Sequence, residues 1–179
     1  VGFLTRGPGY ALFLKPNEAV FALSPNNVTG KKDEEMLNGP DRVRSDAAAQ
    51  RSLADKSRSI LRLKLVGANK NAEAIGVDER GKANYFIGND RSKWRTDVPT
   101  YGRVRYSSVY EGINVEYYGN QQHLEYDFRV APGADYRQIS LKFAGADSVK
   151  LEKETGDLLI DVDGQTVRQH KPFVYQEVA

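Results

Sequence analysis

Hydrophobic and polar residues alternate with a period of two along most of this chain. Residues 10–14 read Tyr-Ala-Leu-Phe-Leu, and 18–23 read Glu-Ala-Val-Phe-Ala-Leu. Between Ile60 and Val66 the alternation is strict: Ile60, Arg62, Lys64 and Val66 face one way, Leu61, Leu63 and Leu65 the other. The pattern returns at 102–106, 113–118, 123–130, 138–143, 147–152, 157–162 and 166–169. A sheet with one buried face imposes this spacing, because successive side chains of a strand point to opposite sides. About ten short strands separated by turn residues predict an all-β fold, an antiparallel β-sandwich or a barrel, with the sandwich as the expectation.

Turn chemistry supports the segmentation. Gly7-Pro8-Gly9 fits a type II turn, with proline setting one φ and Gly9 taking the positive φ that follows. It folds 2–6 back onto 10–14. Asp163-Gly164 signals a tight hairpin between 157–162 and 165–169. Thr155-Gly156-Asp157 closes 148–153 onto 157–162, and Pro132-Gly133 ends the strand at 123–130.

One stretch breaks the rhythm. From Ser24 to Ser59 the chain is polar and mixed in charge, so a single domain, 1–179, is expected to carry a flexible insertion at 25–57. A short helix there would be capped by Ser45 or Asp46 and run through the alanines at 47–49 towards Asp55.

Composition narrows the function classes. The 179 residues carry 26 basic and 24 acidic side chains, a net charge of +2, which argues against a dedicated nucleic-acid binder. No apolar run approaches the roughly 18 residues of a spanning helix, so membrane insertion is not expected. The absence of cysteine removes thiol catalysis, disulfides and cysteine-bound zinc together. Val1 in place of methionine points to a processed or trimmed start.

Gly76 to Lys82 has the spacing of a phosphate-binding loop, but Ala83 stands where a hydroxyl should follow. The next residues, Asn84-Tyr85-Phe86-Ile87, read as a strand rather than a helix. A hairpin turn at Asp78-Glu79-Arg80-Gly81 is the expectation. Asn27-Val28-Thr29 is a formal glycosylation acceptor, relevant only in a eukaryotic secretory route.

The hairpin at 113–130 concentrates chemistry. A Gly119-Asn120-Gln121-Gln122 connection places Tyr118 opposite His123, Glu116 opposite Glu125, and Asn114 opposite Asp127. His123, Glu125 and Asp127 then share one face, and Leu124, Tyr126, Phe128 and Val130 the core face. Opposed carboxylates destabilise a sheet, so Arg103 and Arg105 on the preceding strand are expected to compensate them in a charged ladder. Two other readings use the same groups. Glu116, Glu125, Asp127 and the Asn114 carbonyl could hold Ca2+, which takes oxygen ligands. A pair of carboxylates could instead hydrolyse a glycoside across a cleft about 5–10 Å wide.

Trp94, between Lys93 and Arg95, is either a plug fastening a loop over the sandwich end, or a sugar-stacking platform or interface anchor. Tyr101 and Tyr118 are the surface tyrosines that would join it in ligand binding. His170 lacks a partner at ligand spacing and reads as a strand-end residue.

Several strings resemble a known family. They are Phe3-Leu4-Thr5-Arg6-Gly7-Pro8-Gly9-Tyr10, Leu65-Val66-Gly67-Ala68-Asn69, and Asn84-Tyr85-Phe86-Ile87-Gly88-Asn89-Asp90. Further on come Trp94-Arg95-Thr96-Asp97-Val98-Pro99-Thr100-Tyr101, Tyr110-Glu111-Gly112-Ile113-Asn114-Val115, Leu124-Glu125-Tyr126-Asp127-Phe128 and Val130-Ala131-Pro132-Gly133-Ala134-Asp135. Together they resemble the domain of unknown function found N-terminal to SBBP-type β-propeller repeats in large exported bacterial proteins. The resemblance covers nearly the whole chain except about 25–57. It implies an extracellular or cell-surface setting and supplies no catalytic residue. It also implies that the chain is trimmed at both ends, which would leave a sheet edge open to a strand from another subunit.

The expectation is therefore a non-catalytic extracellular module with a structural, adhesive or self-assembling role, including a filament built by strand complementation. Its partners would be copies of itself or neighbouring domains. A carbohydrate-binding module and a polysaccharide-active enzyme domain are the alternatives.

Overall fold

A computed structural model describes residues 2–7, 9–24, 58–86, 88–120 and 123–176. The expected insertion at 25–57 with its short helix, the Asn27-Val28-Thr29 acceptor, Pro8, and Gln121-Gln122 lie outside those residues. Twelve strands among the described residues form three antiparallel sheets. Five strands, β1 (Phe3–Gly7), β2 (Tyr10–Lys15), β3 (Glu18–Leu23), β4 (Ser59–Leu65) and β9 (Leu141–Ala144), pair in the order β1-β2-β3-β4-β9. Four more, β5 (Glu73–Tyr85), β6 (Arg95–Tyr110), β7 (Ile113–Asn120) and β8 (His123–Val130), pair in sequence order. The last three, β10 (Ser148–Leu151), β11 (Leu158–Val162) and β12 (Gln165–Gln169), make a small sheet of their own. The all-β, sandwich-like expectation holds.

The alternating pattern decides which faces meet. Leu12, Leu14, Ala19, Leu63 and Leu65 of the five-stranded sheet pack against Val104, Tyr106, Val109, Tyr110, Ile113, Val115 and Tyr117 of the four-stranded sheet. Fully burying an aliphatic or aromatic side chain contributes about 1.5–3 kcal/mol, so this cluster dominates stability. A thinner cluster joins Leu23 and Leu61 to Ile160 and Val162 of the three-stranded sheet. Tyr110 ties the larger core to its rim by donating to the Val66 carbonyl at 3.0 Å.

Several turns match the sequence reading. Gly7 pairs with Tyr10, and Gly9 has φ 79°. Asp163 and Gly164 both have positive φ, 47° and 74°, as a type I′ turn requires between paired Val162 and Gln165.

Two expectations are corrected. Asp78 to Gly81 is not a hairpin turn. β5 continues through it, with Asp78 at φ 59°, Gly81 at φ 137° and a register shift between Glu79 and Gly81. The glycine and the left-handed aspartate make a bulge in one long strand, and the reversal comes later, between Tyr85 and Arg95. The β7–β8 register also differs: Asn120, not Tyr118, stands opposite His123. Glu116 therefore faces Asp127, Asn114 faces Arg129, and Tyr118 faces Glu125. The connection is two residues rather than four. Because the shift is two positions, every side chain keeps its expected face.

Candidate functional site

The outer face of the four-stranded sheet carries the charges. Glu116, in the middle of β7, is 1% exposed. A lone carboxylate there would be costly, and three guanidinium groups supply the compensation. Arg129 Nε lies 3.0 Å from Glu116 Oε2, Arg105 Nη2 lies 3.5 Å from the same oxygen, and Arg103 Nη1 lies 3.7 Å from Oε1. Arg103 is itself placed by Asp78, 3.1 Å from its Nε, and by the Tyr118 ring beneath it, 5.2 Å from guanidinium carbon to centroid. The bulge at Asp78 gives that carboxylate its reach.

Tyr118 is a structural donor on this face. Its hydroxyl donates to Asp127 Oδ2 at 3.0 Å. Burial and then the neighbouring Asp127 and Glu125 carboxylates push its pKa well above the usual tyrosine value, so it stays protonated. Asn114 is occupied differently: its Oδ1 accepts from the Ser108 backbone N–H at 2.8 Å and braces a kink in β6 where Ser108 has φ 53°. The oxygens proposed for Ca2+ thus have other partners: Glu116 three arginines, Asp127 a tyrosine, Asn114 the backbone. Among the described residues no cluster of three or more His, Asp or Glu side chains could hold a metal ion.

The second feature is an arm. β7 pairs with β6 only from Arg103 onward, whereas β5 and β6 stay paired out to Tyr85 and Arg95. Beyond the sheet they form a two-stranded ribbon, exposed on both faces through most of its length. Such ribbons are marginal alone, and small contacts at the tip hold this one. Trp94 Nε1 donates to the Gly88 carbonyl at 3.0 Å. Phe86 meets the Trp94 ring edge-on at 5.1 Å between centroids, and the Arg91 guanidinium lies 5.4 Å from its centre. Asp90 caps the 3-10 turn Arg91–Lys93 by accepting from the Ser92 N–H and hydroxyl. Those bonds hold its carboxyl below the ordinary aspartate value.

The three proposed ligand-binding aromatics are not brought together. Trp94 sits at the tip. Tyr101 lies seven residues further on, in β6, roughly 23 Å away at strand rise. Its ring covers Gly76, where any Cβ would collide with it, and meets Phe3 edge-on at 6.1 Å. Tyr118 belongs to the charged face. His170 has a partner the sequence did not suggest: its Nδ1 is 3.1 Å from Asp157 Oδ2.

Arg129 and Phe86 were missed as partners of Glu116 and Trp94. Arg129 shares its parity with Glu125 and Asp127, so its face was readable. A shallow hollow of about 420 Å³ between the Glu111–Gly112 turn and residues 131–135 has two carboxylates, and one of them, Asp135, is already bound by Arg137 at 2.8 Å. Among the described residues no helix is long and apolar enough to cross a membrane.

A family model described as Domain of unknown function (DUF7948) matches residues 1–179. No curated protein and no solved structure gives a match.

Proposed function

We propose, for a chain that belongs to the DUF7948 family, a domain of unknown function, a non-catalytic structural or adhesive role in which the β5–β6 arm makes the contact. The setting we propose is extracellular or at the cell surface, N-terminal to SBBP-type repeats of an exported bacterial protein; the resemblance of the quoted strings supports it. The arm is the observation that carries the reading. It adds nothing to either core, yet the Trp94–Phe86–Arg91 contacts and the Asp90 cap keep its tip ordered. Binding surfaces are commonly built this way, on loops and extensions fixed by a rigid scaffold.

The arm's charge suggests what it meets. Arg80, Lys82, Arg91, Lys93 and Arg95 stand against Glu79, Asp90 and Asp97, an excess of two positive charges between 79 and 97. An acidic polymer surface suits it. The carboxylates of the sheet face are engaged by arginine and tyrosine, which supports a non-catalytic reading of that face.

A glycan array with acidic and neutral polymers tests the proposal. The expected result is retention on uronate- or sulfate-bearing glycans that weakens with salt. A variant with Arg91, Lys93 and Arg95 replaced by serine should fall at least tenfold. Retention on neutral glycans that Trp94→Ala abolishes would return the carbohydrate-binding reading. No retention on any polymer overturns the adhesive one.

A further inference from the structure

The smaller core is open on one side. In the three-stranded sheet Val149 stands in a row with Ile160 and Val167, and Leu151 in a row with Leu158 and Gln169. Ile160 is buried in the cluster with Leu23, Leu61 and Val162. Val149 and Leu151 occupy the same face, but β10 is the edge strand, and they remain 44% and 63% exposed. An edge with apolar side chains in line with a core, and with unpaired backbone groups, is a template for one more strand.

The same chain carries a segment of matching chemistry. After β12, Lys171-Pro172-Phe173-Val174-Tyr175-Gln176 pairs with no strand. Phe173 is 86% exposed and Tyr175 66%. Their rings lie on one side, 5.8 Å apart, as alternate residues of an extended chain should. The root of the segment is fixed. Asp157 accepts from the Lys171 backbone N–H at 2.9 Å and from Arg168 Nη1 at 3.0 Å, and His170 Nδ1 is 3.1 Å away. Pro172 further restricts the chain and favours an extended Lys171. This segment is presented in a set direction, which lowers the entropy lost when it docks.

We propose that residues 171–176 of one copy add as a strand to the open β10 edge of a second copy, seating Phe173 and Tyr175 against Val149 and Leu151. The segment's own β10 is a poor acceptor. It leaves from β12, the far edge of the same sheet, and would have to cross three strand spacings, about 14 Å, before turning to run alongside. Donor and acceptor are different surfaces, so the contact is heterologous and propagates into a ring or a filament. Two aromatic side chains cover about 300–500 Å², less than the roughly 800 Å² per partner of a stable interface. Assembly is therefore concentration-dependent. This proposal is independent of the arm.

Sedimentation velocity over a concentration series tests it with three proteins: the parent chain, a donor variant with Phe173→Ser and Tyr175→Ser, and an acceptor variant with Val149→Lys and Leu151→Lys. All four positions carry exposed side chains, so circular dichroism should show unchanged folds. The parent should grow in mass with concentration, and each variant alone should associate at least tenfold more weakly. Mixed, the two variants should form a dimer and stop, because each retains the half the other lacks. The chain has no cysteine, so Leu151→Cys in one copy and Phe173→Cys in another give an independent readout, a disulfide formed only in the mixture. A parent that stays monomeric overturns the proposal. So does assembly that survives in both variants, or a mixture that gives no dimer.

Discussion

Arg129 reaches Glu116 on a diagonal, Nε to Oε2 at 3.0 Å, although the residue facing Glu116 is Asp127 and the residue facing Arg129 is Asn114. Direct opposition of two carboxylates on a sheet costs a few tenths to 1 kcal/mol. The diagonal contact, with Arg105 in register and Arg103 one pair further along, converts that local conflict into a neutralised cluster. Asp127 is left to Tyr118. Glu116 is thus held by arginines and Asp127 by a tyrosine.

Removing the centre of that cluster should cost more than removing any one spoke. Glu116→Ala leaves three guanidinium groups repelling one another over an emptied site, and we expect a loss of about 2–3 kcal/mol. Arg129→Ala removes one half-exposed, solvent-screened partner and should cost less than about 1 kcal/mol. Urea unfolding of both variants against the parent gives the comparison; equal losses would contradict the hub arrangement.

Gly145 is a second sensitive point, for a backbone reason. It has φ 90°, and a methyl at its Cβ position would run into the carbonyl oxygen of Ile60. No rotamer relieves a clash with backbone. Gly145→Ala should therefore destabilise by at least about 2 kcal/mol, parting β9 from β4 first. Thermal unfolding checks the magnitude, and hydrogen exchange at the β4–β9 pair checks the place.

What the sequence disclosed follows from burial. Leu61, Leu63 and Leu65 were legible because one buried face writes period two into the chain, and all three are in the cores. The faces of β7 and β8 were legible for the same reason, even though the register was off by two. The arm was not legible. Neither of its faces is buried, so no alternation is imposed on 81–100, and Asp78 to Gly81 carries turn residues for a bulge. The open core edge at Val149 and Leu151 was equally hidden, because apolar alternation reads the same on an edge strand as on a central one. Arg129 could have been assigned to the charged face, but its diagonal reach depends on the true register.

Trp94 offers a test of the arm's independence. Its indole fastens the tip through Gly88, Phe86 and Arg91, and none of these belongs to the buried clusters. Trp94→Ala should loosen residues 86–95 while leaving global stability within about 0.5 kcal/mol of the parent. Amide exchange should rise at least tenfold in the tip and stay unchanged at Tyr106 and Val115. A global loss of several kcal/mol would instead make the arm part of the folded core.

The three-stranded sheet should loosen in acid, and the segment after β12 with it. Asp157 is held below its ordinary value of 3.8, first by the Lys171 backbone N–H and then by Arg168. Asp161 is held low by the Ser148 hydroxyl, then Thr166, and Glu152 by Arg168, then Thr155. A carboxyl whose folded pKa is depressed binds protons more readily in the unfolded chain. Its stabilising contribution is complete above the ordinary carboxylate values and is lost as pH falls through the depressed folded ones. The window therefore opens below the ordinary values, 3.8 for the two aspartates and 4.5 for Glu152, and neutral pH is the stable side. Protonating Asp157 weakens the acceptor that anchors the Lys171 amide, so residues 171–176 should lose their fixed direction before the larger core responds. An NMR pH titration should show the Lys171 amide shifting with a midpoint below 3.8. Asp157→Asn should abolish that midpoint and make the amide exchange faster at neutral pH. A midpoint at or above 3.8 would mean that Asp157 does not hold the segment, and the preorganisation argued for the donor strand would fall with it.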